Sequence, residues 1–294
     1  MTGTIYQTIT DNILRQIEAG AGEFKMPWHR GAATGLPVNA ATGKEYNGSN
    51  VMVLWCAAMA KGYASSTWAT YKQWAALGAQ VRKGEKSTTG IYFSTFEKEQ
   101  DGKITRLPFA KALSLFNADQ VDGWTGAAPK DAVDLTTRLD AVDTLISGLG
   151  VNVKHEGTRA FYHRVSDAVY MPLREAFTGT GTINATESYY ATLLHEVAHW
   201  TGAEKRLART KGKTYGDEAY AYEELVAEMA AAFLCCKLGV TNEPRADHAQ
   251  YLAAWLKVLK SDPRAITKAS ADAQRAADFV LGKVRQEQEE AVAA

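Results

Sequence analysis

The stretch TLLHEVAHWTG, Thr192–Gly202, holds two histidines four positions apart with a glutamate directly after the first. On an α-helix, residues i and i+4 share a face one turn apart, so His195 and His199 can aim ring nitrogens at one ion. Glu196 sits beside that face, within reach of water at the same point. Catalytic zinc uses such an arrangement. It takes three protein ligands, keeps one position for water, and lowers the pKa of that water from about 16 to about 7, so that a nearby carboxylate can accept the proton. Two histidines are an incomplete ligand set, however, and that constrains the fold: a second element must carry a third ligand back to this helix.

The sequence supplies one. YEELVAEMAAAF, Tyr222–Phe233, reads as a second apolar helix bearing Glu223, Glu224 and Glu228. Glu224 and Glu228 lie on one face, and carboxylates on a helix that is otherwise fit for burial are costly unless paired or ligating. Glu224 is read as the third ligand and Glu228, one turn on, as the partner of a ligand histidine. Glu223 and Glu228 stay open as substitutes for Glu224, as do His155 and His163 in the preceding strands. Tyr215, Tyr220 and Tyr222 are candidates for a hydrogen bond to a developing oxyanion. Two imidazoles and a carboxylate suit Zn2+, although Mn2+, Co2+ or Ni2+ fit the same ligand types.

The 33 Lys+Arg and 33 Asp+Glu of the 294 residues cancel, which excludes a strongly basic nucleic-acid coat and an acidic mimic of DNA. The cancellation hides a contrast. Residues 1–128 hold 13 basic and 10 acidic residues, whereas the rest holds 20 and 23. Three cysteines, Cys56, Cys235 and Cys236, form neither a disulfide framework nor a CxxC pattern and read as free thiols of a reducing compartment. The start shows no leader pattern, and VMVLWCAAMA is too short to span a bilayer. A cytoplasmic protein without a membrane partner is expected.

Along the chain, Ile5, Ile9, Ile13 and Ile17 mark an amphipathic helix over 4–19. A Gly- and Asn-rich loop, LPVNAATGKEYNGSN, leads to a helix closed by Gly62. TWATYKQWAALG reads as another helix, QVRKGEKSTTGIYFSTFEKE as a β-hairpin turning at Lys83–Lys86, and KALSLFNADQV as a further strand. Periodicity lapses over 118–132, which places a domain boundary near 128. Helix resumes at 131–150, followed by three short strands, the HEVAH helix, the glutamate-bearing helix and two helices near the end. The fold class expected is α+β: an N-terminal α/β domain, 1–128, then a metal-binding domain, 129–294.

At the level of motifs, MPLREAF, YYATLLHEVAHWTGAEKRL and YAYEELVAEMAAAFL resemble the zincin-like metallopeptidase domain of ArdC-type antirestriction proteins. PVNAATGKEYNGSN, TWATYKQWAALGAQVRKGEK and IYF resemble their single-stranded-DNA-binding domain, which certain plasmid primases share. The resemblance spans most of the chain. It implies a protein that binds single-stranded DNA and shields incoming plasmid DNA from host restriction. It also implies a gluzincin-type HExxH…E site: His195, His199 and Glu224 match the metal ligands, Glu196 the catalytic acid/base, and Glu224-x-x-Ala227-Glu228 the glutamate-zincin pattern.

The residues of the first half agree with such a partner. Single strands are held by bases stacked on aromatic faces and by a basic groove along the phosphates. Trp28 and Tyr46, in polar loops, are the stacking candidates, while Trp55 and Trp74 fall at apolar helical positions and read as core. Asn47 and Asn50 belong to a turn able to offer N–H groups to a phosphate, and Lys72, Arg82, Lys83 and Lys86 supply the charge. Nothing reads out sequence, so little sequence preference and steep salt dependence are expected. Two other readings compete: a protein that coats single-stranded DNA, with a structural or vestigial metal and no proteolytic activity, and a peptidase with no use for nucleic acid.

Overall fold

The computed structural model describes residues 2–20, 35–100, 103–126, 135–179, 183–209, 218–240 and 252–282. The boundary expected near 128 and the candidates Trp28 and Tyr215 lie outside them.

The first half is built on a mixed sheet. Helix α1 (Thr2–Gly20) keeps the four-residue isoleucine step, and Ile9, Ile13 and Ile17 are buried. Strand β1 (Val38–Asn39) runs parallel to β2 (Thr67–Thr70). Between them α2 (Ser49–Lys61) is apolar almost all round, as suits a helix enclosed on several sides. It stops where Gly62, at φ 68°, returns its N–H to Ala58 O. The long strands β4 (Thr88–Gln100) and β5 (Lys103–Asn117) pair antiparallel, giving a sheet order β1-β2-β5-β4.

Two expectations are corrected here. TWATYKQWAALG is not one helix: Thr67–Thr70 is β2, and only Tyr71–Ala76, α3, is helical. Thr70 makes the switch, accepting a hydrogen bond from Gln73 N while the Gln73 side chain accepts from Thr70 N, a capping box that starts a helix directly after a strand. A strand feeding straight into a helix leaves Trp68, Tyr71 and Trp74 at spacings that imitate a helical period. Likewise the chain does turn at Lys83–Gly84, but β3 (Gln80–Val81) pairs with β6 (Val121–Asp122), not with β4. The partner of β4 is β5, whose register runs out to Gln100↔Lys103. Two alternating runs separated by two residues, Asp101-Gly102 in the sequence, carry the stronger short-range hairpin signal.

The second half has α4 (Leu135–Gly148) and a small sheet of β7 (Asn152–His155), β8 (Phe161–His163) and β9 (Ala168–Met171), ordered β7-β9-β8. The three strands read from the sequence are thus all present. Behind them stand α5 (Ala185–Thr201) and α6 (Glu218–Leu238), then α7 (Leu252–Ser261) and α8 (Ala265–Val280). Asn184 caps α5 in a capping box with Glu187. The β8–β9 turn is tied to the end of α5: Asp167 faces Lys205 and Arg206, and the Arg206 guanidinium lies 3.9 Å from the Trp200 ring centroid. No helix among the described residues is long and apolar enough to cross a membrane.

The halves share one core. Ile9, Ile13, Ile17, Val51 and Trp55 of the first half belong to the same buried cluster as Phe233, Trp255 and Ala273 of the second. Trp55 packs on Phe233 with ring centroids 5.7 Å apart. Thr10 Oγ1 donates to Pro263 O at 2.7 Å, Gly48 N donates to Gln274 Oε1 at 3.0 Å, and Glu45 pairs with Lys237. Severing the chain near 128 would expose this surface, so residues 1–128 alone are expected to bind a dye for apolar surface and to melt without the cooperativity of the whole chain. Calorimetry with dye fluorescence checks this; a fragment that melts as sharply as the intact protein without binding dye would show two independent cores.

Candidate metal centre

The HEVAH helix is central, with every residue from Tyr189 to Thr201 buried. Burial suits Leu193, Leu194, Val197 and Ala198, but it also takes two imidazoles and Glu196 out of water. Helix α6 packs against it, and Glu223, Glu224 and Glu228 are all buried as well. Such groups are tolerated only where they meet one another.

They meet in an ordered way. The Nε2 atoms of both histidines face Glu224: His195 Nε2 lies 3.7 Å from Oε2 and His199 Nε2 3.4 Å from Oε1. One ligand atom each from His195, His199 and Glu224 falls within 4.8 Å of the others, the one such group of buried donors among the described residues. The opposite edges of the rings are held separately. His195 Nδ1 is 3.3 Å from Glu228 Oε2, and His199 Nδ1 is hydrogen-bonded to Glu223 Oε1 at 3.2 Å. For His199, a carboxylate accepting from Nδ1–H fixes the tautomer that leaves the Nε2 lone pair free for a cation, and Glu228 stands on the corresponding side of His195. Glu224 therefore faces the shared point, whereas Glu223 and Glu228 stand behind the rings. This geometry separates three glutamates that spacing left open.

Burial would raise the carboxyl pKa of Glu224, but His199 and His195 in front of it outweigh burial and hold it well below the usual carboxylate range. The charge count points the same way. Four buried carboxylates, Glu196, Glu223, Glu224 and Glu228, are set against one buried guanidinium, Arg209, and two imidazoles. The carboxylates outnumber these basic groups even with both imidazoles protonated, and a divalent cation at the Nε2–Oε meeting point offsets the excess. The donor set thus fits such a metal.

Arg209 is the residue that sequence reasoning missed. Its Nε donates to Glu223 Oε2 at 3.1 Å and its Nη2 to Oε1 at 2.9 Å, a two-pronged pair. It also donates to Ala198 O and Thr201 Oγ1, which ties Glu223 to the end of α5. Room for this comes from Gly202: a Cβ there would lie 2.9 Å from Arg209 Nη2 and 3.1 Å from Glu223 Oε1. The signal for Arg209 was the glycine three positions after His199.

The other candidates are placed apart from this group. His155 Nε2 is 2.8 Å from the Tyr189 hydroxyl, and His163 Nδ1 is 2.8 Å from Ser166 Oγ. The Tyr222 hydroxyl donates to Asp272 at 2.8 Å, which leaves it engaged elsewhere. In the first half, the amide of Asn50 is taken up by the chain itself: Nδ2 donates to Ile91 O and Oδ1 accepts from Ile91 N, joining α2 to β4. Tyr46 is half-buried, and its hydroxyl accepts from Asn39 Nδ2 at 3.0 Å. Asn47, Lys72, Arg82, Lys83 and Lys86 are exposed, although the Arg82 guanidinium is paired with Glu85.

A glutamate on one helix facing two histidines of an HExxH turn on another defines a zincin-like metallopeptidase domain, and the comparisons agree. The family described as "Zincin-like metallopeptidase" matches residues 140–272, and the "N-terminal domain of anti-restriction factor ArdC" matches residues 3–120. The structure of the antirestriction ArdC protein from plasmid R388, metal-free, superposes with a TM-score of 0.77 at 36% identity, covering 96% of this chain and 98% of that one. Its Mn(II)-bound form gives 0.75 at 36% identity, covering 94% and 96%. The chain belongs to the ArdC antirestriction family. It is also 40% identical over 286 residues to uncharacterized protein y4eC of Sinorhizobium fredii (strain NBRC 101917 / NGR234), covering 94% of this chain and 91% of that protein. It is 35% identical over 297 residues to DNA primase TraC of Escherichia coli, covering 94% of this chain but only 27% of the primase.

If Glu223 and Glu228 orient the rings, removing either is expected to lower metal affinity about 10- to 100-fold without unfolding the protein. Gly202→Ala is expected to act in the same direction by displacing the Arg209–Glu223 pair. Competition titration against a chromophoric chelator reads all three; affinities equal to wild type would deny these residues a hold on the metal.

Proposed function

We propose that this chain is an antirestriction protein that binds single-stranded DNA through its first half and holds Zn2+ in its second through His195, His199 and Glu224. The observation that carries the metal reading is the convergence of those three donors, each histidine backed by its own carboxylate. The Mn(II)-bound form of the similar ArdC structure supports a divalent metal, and ligand type favours zinc.

A divalent cation held there would polarise a carbonyl and acidify water. Glu196, directly after one ligand and buried in the same helix, takes the proton released as water attacks and later delivers it to the leaving group. Glu228 and Glu223 keep the imidazoles in register meanwhile. The chemistry this arrangement favours is metal-assisted hydrolysis of an amide in a protein substrate.

Support for the nucleic-acid reading comes from the first half. It carries the positive side of the charge asymmetry and shows aromatic rings to solvent at Tyr71, Tyr92, Phe93 and Phe109. The match to a plasmid-borne antirestriction protein, and to part of a DNA primase, supports a role with DNA that enters a cell as a single strand. Protection of incoming plasmid DNA in the recipient cytoplasm follows from this reading.

The test is Glu196→Ala. The variant is expected to keep stoichiometric metal and single-stranded-DNA affinity while losing plasmid protection in a transfer assay against a restricting host. Full protection by a metal-loaded Glu196→Ala protein would instead favour a DNA-coating protein whose metal is structural.

A further inference from the structure

One aromatic ring next to the core of the first half is left out of it. Trp74 of α3 is wholly buried, yet Tyr71, the first residue of that helix, is 49% exposed. Its ring stands edge-on to Phe116 of β5, with centroids 6.4 Å apart and planes at 71°. Its hydroxyl accepts a hydrogen bond from Gln80 Nε2 at 2.8 Å, and the same nitrogen reaches Val81 O at 3.0 Å. The phenol is thus held at its tip and braced by a second ring while about half of the residue stays exposed. A ring fixed in advance loses little freedom when something stacks on it.

Tyr71, Gln80 and Phe116 form part of an open groove of about 700 Å³, completed by the Arg82–Glu85 turn and Asp122. Arg82 lies between the two acids of the groove, 2.9 Å from Glu85 and 3.6 Å from Asp122, and Glu85 also accepts from Gln120 at 2.9 Å. Lys83, at the tip of the turn, is exposed and has no acidic partner among the described residues. The groove therefore combines an aromatic platform, a lining whose two acids and two bases cancel, and one exposed ammonium, Lys83, that no acid engages among the described residues. A planar uncharged group with a single anionic group beside it is complementary to that combination. A nucleotide of a flexible strand has this form, with base and phosphate on either side of the sugar. A duplex does not, because its bases are stacked on one another and present only their edges.

Resting on the reading that the first half binds single-stranded DNA, the geometry points to this groove as a nucleotide subsite. A base stacks on Tyr71, Phe116 and Gln80 keep that ring in place, and Lys83 contacts the adjoining phosphate. Tyr46 and Asn50, whose polar atoms are used within the fold, serve as framework, and the binding face lies across α3, β3 and the turn after it.

The experiment is fluorescence anisotropy of the full chain with a labelled oligo-dT, measured over a series of salt concentrations. Tyr71→Ala is expected to weaken binding roughly 5- to 150-fold, the loss of one stacked base, with the salt slope unchanged. Tyr71→Phe, which keeps the ring but loses the bond from Gln80, should bind far more tightly than Tyr71→Ala. Tyr71→Leu, which keeps apolar bulk but no ring, should show the same loss as Ala and guards against a packing effect. Lys83→Ala should instead flatten the slope of log K against log salt by about 0.7, one phosphate on a single strand. If wild type binds and both Tyr71→Ala and Lys83→Ala bind equally well with an unchanged slope, the subsite is wrong and the DNA reading stands. If wild type fails to bind even at low salt, that reading itself falls, and the subsite with it.

Discussion

Excess negative charge buried between two helices is the constraint on which the second half of the molecule depends. Glu196, Glu223, Glu224 and Glu228 are withdrawn from water together, and one buried guanidinium cannot balance them. The arrangement is tolerable because each carboxylate on α6 has a separate duty. Glu224 faces the Nε2 atoms of both histidines, while Glu228 and Glu223 face one Nδ1 each. A buried charge without a partner is costly in a medium that solvates it poorly, which is why these groups are held in contact with one another. The helical spacing of His195 and His199 and of Glu224 and Glu228 lets two straight elements deliver all of it.

The packing around that centre joins it to the rest of the chain. Helix α6 carries the carboxylates in its first half and Phe233 further on, and Phe233 packs on Trp55 of α2. The loop before α2 is tied to α6 through Glu45 and Lys237 and to α8 through Gly48 and Gln274. Helices α1 and α2 thus share one buried cluster with the helices around the metal site, whereas the α3–β3 face proposed for DNA packs on a smaller cluster of its own, Ala69, Trp74, Ala79, Val81 and Val121. Both activities can occupy one chain without either half being a separate body.

How much of this was legible in the sequence depended on how local the determining contacts are. The HEVAH helix, its partner helix and the three short strands were readable because periodicity and spacing are properties of neighbouring residues. Glu224 was favoured by being one turn from Glu228, but choosing it over Glu223 needed the packing angle of two helices, which no spacing encodes. Arg209 and the role of Gly202 were hidden for the same reason: the contact joins residues that meet only after α5 ends. In the first half, Trp68-Ala69-Thr70 read as helix because a strand feeding straight into a capped helix keeps a helix-like rhythm. The strand partners of Gln80–Val81 were concealed by some forty intervening residues. Asn50 and Tyr46 look like loop residues available to a ligand until their polar atoms are followed to Ile91 and Asn39.

The most direct measurement is anomalous diffraction at the zinc edge from crystals of the protein loaded with Zn2+. The account predicts one strong peak per chain, contacted by Nε2 of His195, Nε2 of His199 and a carboxylate oxygen of Glu224. A peak bound instead through Glu223 or Glu228, or no peak between the two helices at saturating zinc, would contradict it.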